Sequence, residues 1–66
     1  MDLYSQRLIT EDDHLIAERR VLPKERGTDR WVATNRDRHG RRLLIQERYL
    51  TTDNWMTIGT VAAIRN

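Results

Sequence analysis

The stretch that decides the fold runs from Arg30 to Leu50: Arg30-Trp31-Val32-Ala33-Thr34-Asn35, Arg36-Asp37-Arg38-His39-Gly40, then Arg41-Arg42-Leu43-Leu44-Ile45-Gln46-Glu47-Arg48-Tyr49-Leu50. Two runs of β-branched, aromatic and aliphatic residues flank a polar turn that closes on Gly, which is the pattern of a β-hairpin. Gly40 suits the left-handed position of such a loop because it has no Cβ to clash. Four arginines and a histidine would then project from the hairpin tip.

Working back towards the N-terminus, Leu3 to Leu22 supports two readings. Thr10 as an N-cap, acids at 11–13 and Arg19 with Arg20 at the far end would suit a helix dipole. The apolar spacing is poor for a helix, however, because Arg19 interrupts the stripe joining Leu15 and Leu22. An internal echo favours strands. Leu15-Ile16-Ala17-Glu18-Arg19 resembles Leu44-Ile45-Gln46-Glu47-Arg48, so a hairpin in the second copy predicts one in the first, turning at Glu11-Asp12-Asp13. Pro23 ends the second strand, since it has no N–H to give to a ladder.

Working forward, Asp53 to Ile64 is ambiguous. Thr52 or Asp53 could cap a two-turn helix ending near Gly59. Alternatively Met56, Ile58, Thr60, Ala62 and Ile64 alternate as a strand. The words from Tyr49 to Trp55 resemble the opening helix of excisionase-type DNA-binding proteins over seven residues, and no functional residue is carried over from them.

The fold expected is therefore mainly β: one small domain over residues 1–66, a four-stranded antiparallel meander of two hairpins, with a short C-terminal helix or a fifth strand closing one face. The expected core is Leu8, Leu15, Ala17, Val21, Trp31, Ala33, Leu43, Ile45, Tyr49, Trp55, Met56 and Ile58.

A chain of 66 residues buries only about 60% of its unfolded surface. It contains no Cys, so neither disulfides nor thiolate zinc supplements the core. Such small cores are often completed by a partner. No apolar run nears the roughly 20 residues of a membrane span, and no basic-then-apolar leader pattern opens the sequence. The reading is a cytoplasmic protein with no membrane partner.

Charge is unevenly spread. Residues 1–18 carry one Arg against five carboxylates, net −4; residues 19–48 carry ten basic groups against four acids, net +6; residues 49–66 balance to zero. A basic middle attracts phosphate backbones. All basic residues but Lys24 are Arg, and their spread along the whole chain fits codon usage better than one dedicated patch.

Catalysis is not expected. No Ser-His-Asp order, phosphate-cradling Gly loop or His-Glu-x-x-His helix is present. His14 and His39 fall in turns, and the acids at 11–13 lack calcium-loop spacing. No metal or cofactor is expected.

The function expected is a non-enzymatic binding protein that contacts nucleic acid through Arg36, Arg38, His39, Arg41 and Arg42, extended by Arg48, Arg19 and Arg20. The alternatives are a protein-binding module or inhibitor of a host enzyme, of the kind phages and other mobile elements encode, and a homodimer paired through edge strands.

Overall fold

The computed structural model describes residues 3–64. Their strands, β1 (Tyr4–Thr10), β2 (Leu15–Val21), β3 (Leu43–Tyr49) and β4 (Met56–Val61), form one antiparallel sheet in the order β2-β1-β3-β4. The mainly β, four-stranded antiparallel class expected from sequence is what the chain adopts, and it holds two hairpins, β1–β2 and β3–β4. They lie side by side through β1 and β3, so the strand order is not that of a serial meander.

The first hairpin turns where the acids predicted. The Thr10 amide donates to the His14 carbonyl at 2.9 Å, and the Thr10 hydroxyl accepts from the His14 amide at 3.0 Å. Asp13 takes the left-handed conformation, φ 68°, which Asp tolerates better than most residues. The second hairpin departs from the expectation. Asp29–Thr34 is a short helix, α1, not a strand, and Arg36–Arg42 is the loop that leads from it into β3. The C-terminal stretch takes its strand alternative as β4, and the capped helix near Asp53 does not form. Leu50 and Thr51 are a turn instead of the start of a helix.

Topology explains why Trp31-Val32-Ala33-Thr34 is helical despite its β-branched and aromatic residues. β1 lies between β2 and β3. The chain must therefore cross one face of the sheet, and only residues lying over that face can bury their apolar side chains there. Asn35 closes the helix by donating its backbone N–H to the Trp31 and Val32 carbonyls, and its side-chain amide to Trp31 at 2.8 Å. Burial outweighs strand propensity here.

Alternation and register sort the sheet into two faces. On the covered face, beneath the crossover, lie Tyr4, Gln6, Leu8 and Thr10 of β1, opposite Tyr49, Glu47, Ile45 and Leu43 of β3. The core is Leu8, Leu43, Ile45 and Val61, with Ile16, Ala17, Trp31 and Val32 packed against it. Each hairpin carries one extra residue, Ile16 in β2 and Ile58 in β4, where the register slips by one. Such bulges turn the added side chain to the same face as its neighbour.

Of the expected core, Leu8, Val21, Leu43 and Ile45 are buried, and Ala17, Trp31 and Trp55 are half-buried. Leu15, Ala33, Tyr49, Met56 and Ile58 are exposed instead. The α1 helix is too short to reach the last two, and Leu15 points to the other face. Buried residues that the expectation missed include Tyr4, Ser5, Gln6, Ile9 and Thr10. As the central strand's residues, they lose solvent on both sides.

No helix among the described residues is long and apolar enough to cross a membrane.

Candidate nucleic-acid interface

The face opposite the crossover is built in rows across the strands. Ser5 sits centrally, with Arg20 on one side and Arg48 on the other. The two arginine backbones stand about 10 Å apart across it. Its small side chain leaves the arginine stems room to lie over it, and Ser5 is buried. The next row is Glu18, Arg7 and Gln46, and the third is Leu15, Ile9 and Leu44. The face thus grades from basic to apolar along the strands.

Trp55, just before β4, lies on this face. The guanidinium carbons of Arg7 and Arg48 stand 4.1 Å and 5.0 Å from its ring centroid. Arg7 Nε donates to Gln46 Oε1 at 2.8 Å, and Gln46 Nε2 donates on to the Thr57 hydroxyl at 3.2 Å. Arg48 Nη1 donates to the Thr52 carbonyl at 2.5 Å and stands 3.5 Å from Asp53, while its Nε is buried without a hydrogen-bond partner. The indole holds both guanidiniums close by cation–π attraction, and an anion would be met by the terminal nitrogens that Arg7 and Arg48 do not give to Gln46 and Thr52.

The eight residues expected to form one patch are dispersed. Arg20 and Arg48 are on the open face. Arg19 points the other way: it stacks on Trp31 at 4.5 Å and donates to Gln6 Oε1 at 2.9 Å and the Gly27 carbonyl at 2.7 Å. Burial lowers its pKa, with Glu25 opposing. Arg41 is locked onto Asp37 by two side-chain bonds, 2.8 Å and 3.2 Å, and its own backbone N–H adds a third at 3.0 Å. Those bonds from Arg41 hold the Asp37 carboxyl well below the usual range, outweighing its burial. Arg42 reaches Glu11 at 3.7 Å, with both side chains more than half exposed. Arg36, Arg38 and His39 are exposed in the loop that closes on Gly40, φ 68°. A Cβ there would meet the Ile64 carbonyl at 3.0 Å.

No family model, curated protein or solved structure matches the chain.

Two features escaped the sequence reading. Arg7 and Trp55 belong to the open face, and alternation through Ser5-Gln6-Arg7 was the signal that places Arg7 there. The second feature is a polar network under the crossover. Gln6, fully buried, donates to Glu47 Oε2 and to the Arg26 carbonyl, both at 2.9 Å, and accepts from Arg19. Arg26 adds two bonds to Glu47, the shorter 2.6 Å. Burial pushes the Glu47 carboxyl up, but the hydrogen bonds from Arg26 and Gln6 and the Arg26 charge win, and its pKa is lowered.

At the Tyr4–Tyr49 end of the sheet lies a cleft of about 400 Å³, lined by Tyr4, Tyr49, Met56 and Ile58 with Arg26 and Glu47. Tyr4 donates its hydroxyl to that of Tyr49 at 2.7 Å. Among the described residues no three metal-ligating side chains converge.

Proposed function

We propose that the chain is a non-catalytic binding protein that contacts the sugar–phosphate backbone of nucleic acid along its open sheet face. One observation carries this reading: Arg7, Arg20 and Arg48 share the uncovered side of the sheet, two of them with guanidinium carbons within 5.0 Å of the Trp55 ring centroid. A guanidinium pre-oriented by stacking loses less freedom when it grips a phosphate than one on a free stem. Arg36 and Arg38 are exposed in the loop before β3, at the far end of the sheet from the Arg20–Ser5–Arg48 row. The binding surface is thus the sheet, not a hairpin tip.

The pairings elsewhere support a non-catalytic role. Asp37 and Glu47, two carboxylates with lowered pKa values, are each paired with an arginine in fixed geometry, which suits architecture better than proton transfer.

Binding of a fluorescent single-stranded oligonucleotide and a short duplex, measured by anisotropy against salt, tests the proposal. Affinity should fall linearly on a log–log plot, with a slope set by about three to five phosphate contacts. Arg20→Ala should weaken binding and reduce that slope by about one. No binding at roughly 50 mM salt overturns the proposal.

A further inference from the structure

Among the described residues the sheet ends in two edge strands, β2 and β4, and they differ in chemistry. β2 carries Glu18, Arg19 and Arg20, charges of the kind that keep edge strands from pairing with other chains. β4 carries none, and no charged residue occurs anywhere from Asn54 to Ile64. Its Met56 and Ile58 are 68% and 47% exposed. An uncharged edge with exposed large side chains is a template for another strand.

The bulge in β4 selects which strand. Because Ile58 is the extra residue, Ile58 and Gly59 both lie opposite Ile45 and share the covered face with Met56 and Val61, while Thr57 and Thr60 lie on the open face. When β4 is placed antiparallel to itself so that all six residues pair, Met56 meets the partner's Val61, Thr57 meets the partner's Thr60, and Ile58 meets the partner's Gly59. Every pair then falls on a common face. In a six-residue strand without a bulge, the same overlap would put each pair on opposite faces. Ile58 meets a position with no side chain, and Thr–Thr pairs are favourable neighbours across a sheet.

We infer that a second copy of this chain docks along β4, giving a two-fold dimer with one continuous eight-stranded sheet. Both crossovers lie on one side, and the two arginine rows extend along the other. The inference is independent of nucleic-acid binding.

Sedimentation equilibrium of the full chain, without nucleic acid, tests it. Mean mass should climb from one chain towards two between about 1 µM and about 1 mM. Thr57→Lys with Thr60→Lys opposes two lysine pairs in this register and should hold the mass at one chain. Thr57→Lys with Thr60→Glu, at the same exposed positions, sets Lys against Glu twice and should keep the dimer. Circular dichroism confirms that each variant keeps its sheet, and the Lys/Glu variant decides the matter alone if the other fails to fold. A single-chain mass throughout, a mass growing beyond two chains, or a Lys/Glu variant that dissociates overturns the inference.

Discussion

Arg19 and Arg20 are adjacent in the chain, and their fates differ. Arg19 turns under the crossover, stacks on Trp31 and bonds Gln6 and the Gly27 carbonyl. Arg20 turns to the open face, beside Ser5, and is exposed. The same contrast separates the two faces throughout. Under the crossover, charge is consumed in pinning residues 26 and 27 to the sheet; on the other side, Arg20 faces outwards, while Arg7 and Arg48 each give one N–H to a neighbour and lie against Trp55. A basic segment therefore need not be a basic surface, because strand alternation divides it in two.

The two faces should differ most at Gln6, whose amide holds Arg19, Glu47 and the Arg26 carbonyl at once. Gln6→Ala should cost about 3 kcal/mol, because it leaves buried groups without partners. Ser5→Ala, next in the chain and buried on the other face, should stay within about 0.5 kcal/mol. Urea unfolding of both variants measures the gap. Equal costs would mean that the network under the crossover does not hold it down.

The arginine pair comes next. Arg19→Ala should destabilise by about 1–2 kcal/mol through lost hydrogen bonds and stacking, and leave nucleic-acid affinity unchanged in the folded protein. Arg20→Ala should do the reverse, leaving stability within about 0.5 kcal/mol while weakening binding. Thermal unfolding and anisotropy on the same two samples would expose a failure of either half.

Much of this was legible in the sequence. The apolar run at Leu43–Tyr49, its echo at Leu15–Arg19, and the acidic turn between Thr10 and His14 carry the strands and the first hairpin. The helix was hidden, because Trp31-Val32-Ala33-Thr34 has strand composition and only the position of β1 between β2 and β3 forces a crossover. The arrangement of the arginines was hidden for the same reason. With Arg36–Arg42 placed on a hairpin tip, Asp37 looked like a turn residue instead of the carboxylate that holds Arg41. The network at Gln6 joins residues up to 41 positions apart, and no local pattern announces it.

Acid should act on the covered side and the loop more than on the open face. Asp37 and Glu47 both have depressed pKa values. A carboxyl whose folded pKa lies below its unfolded one stabilises the fold at pH above the unfolded value. That contribution is lost as pH falls through the folded value. Stability should therefore decline below about pH 4, near the ordinary carboxyl pKa. Asp37→Asn should be less stable than the parent at neutral pH and decline less steeply in acid. Urea midpoints between neutral pH and pH 2 give both slopes, and parallel curves would show that the Asp37–Arg41 bonds add nothing.

The finest discrimination comes from the two tryptophans, one on each face. Trp31 lies under Arg19 and Trp55 beside Arg7 and Arg48. A phosphate that meets the terminal nitrogens Arg7 and Arg48 do not give to Gln46 and Thr52 shifts those guanidiniums against the Trp55 indole, so the environment of its ring N–H changes. Arg19 has two donors fixed by Gln6 and Gly27 and no route to the same phosphate, so the Trp31 signal has no cause to move. In an NMR titration with a short single strand, the Trp55 indole resonance should shift, and added salt should reverse the shift. A Trp31 shift with Trp55 still would place contact on the crossover side and end the open-face assignment, because the two rings report from opposite sides of one sheet.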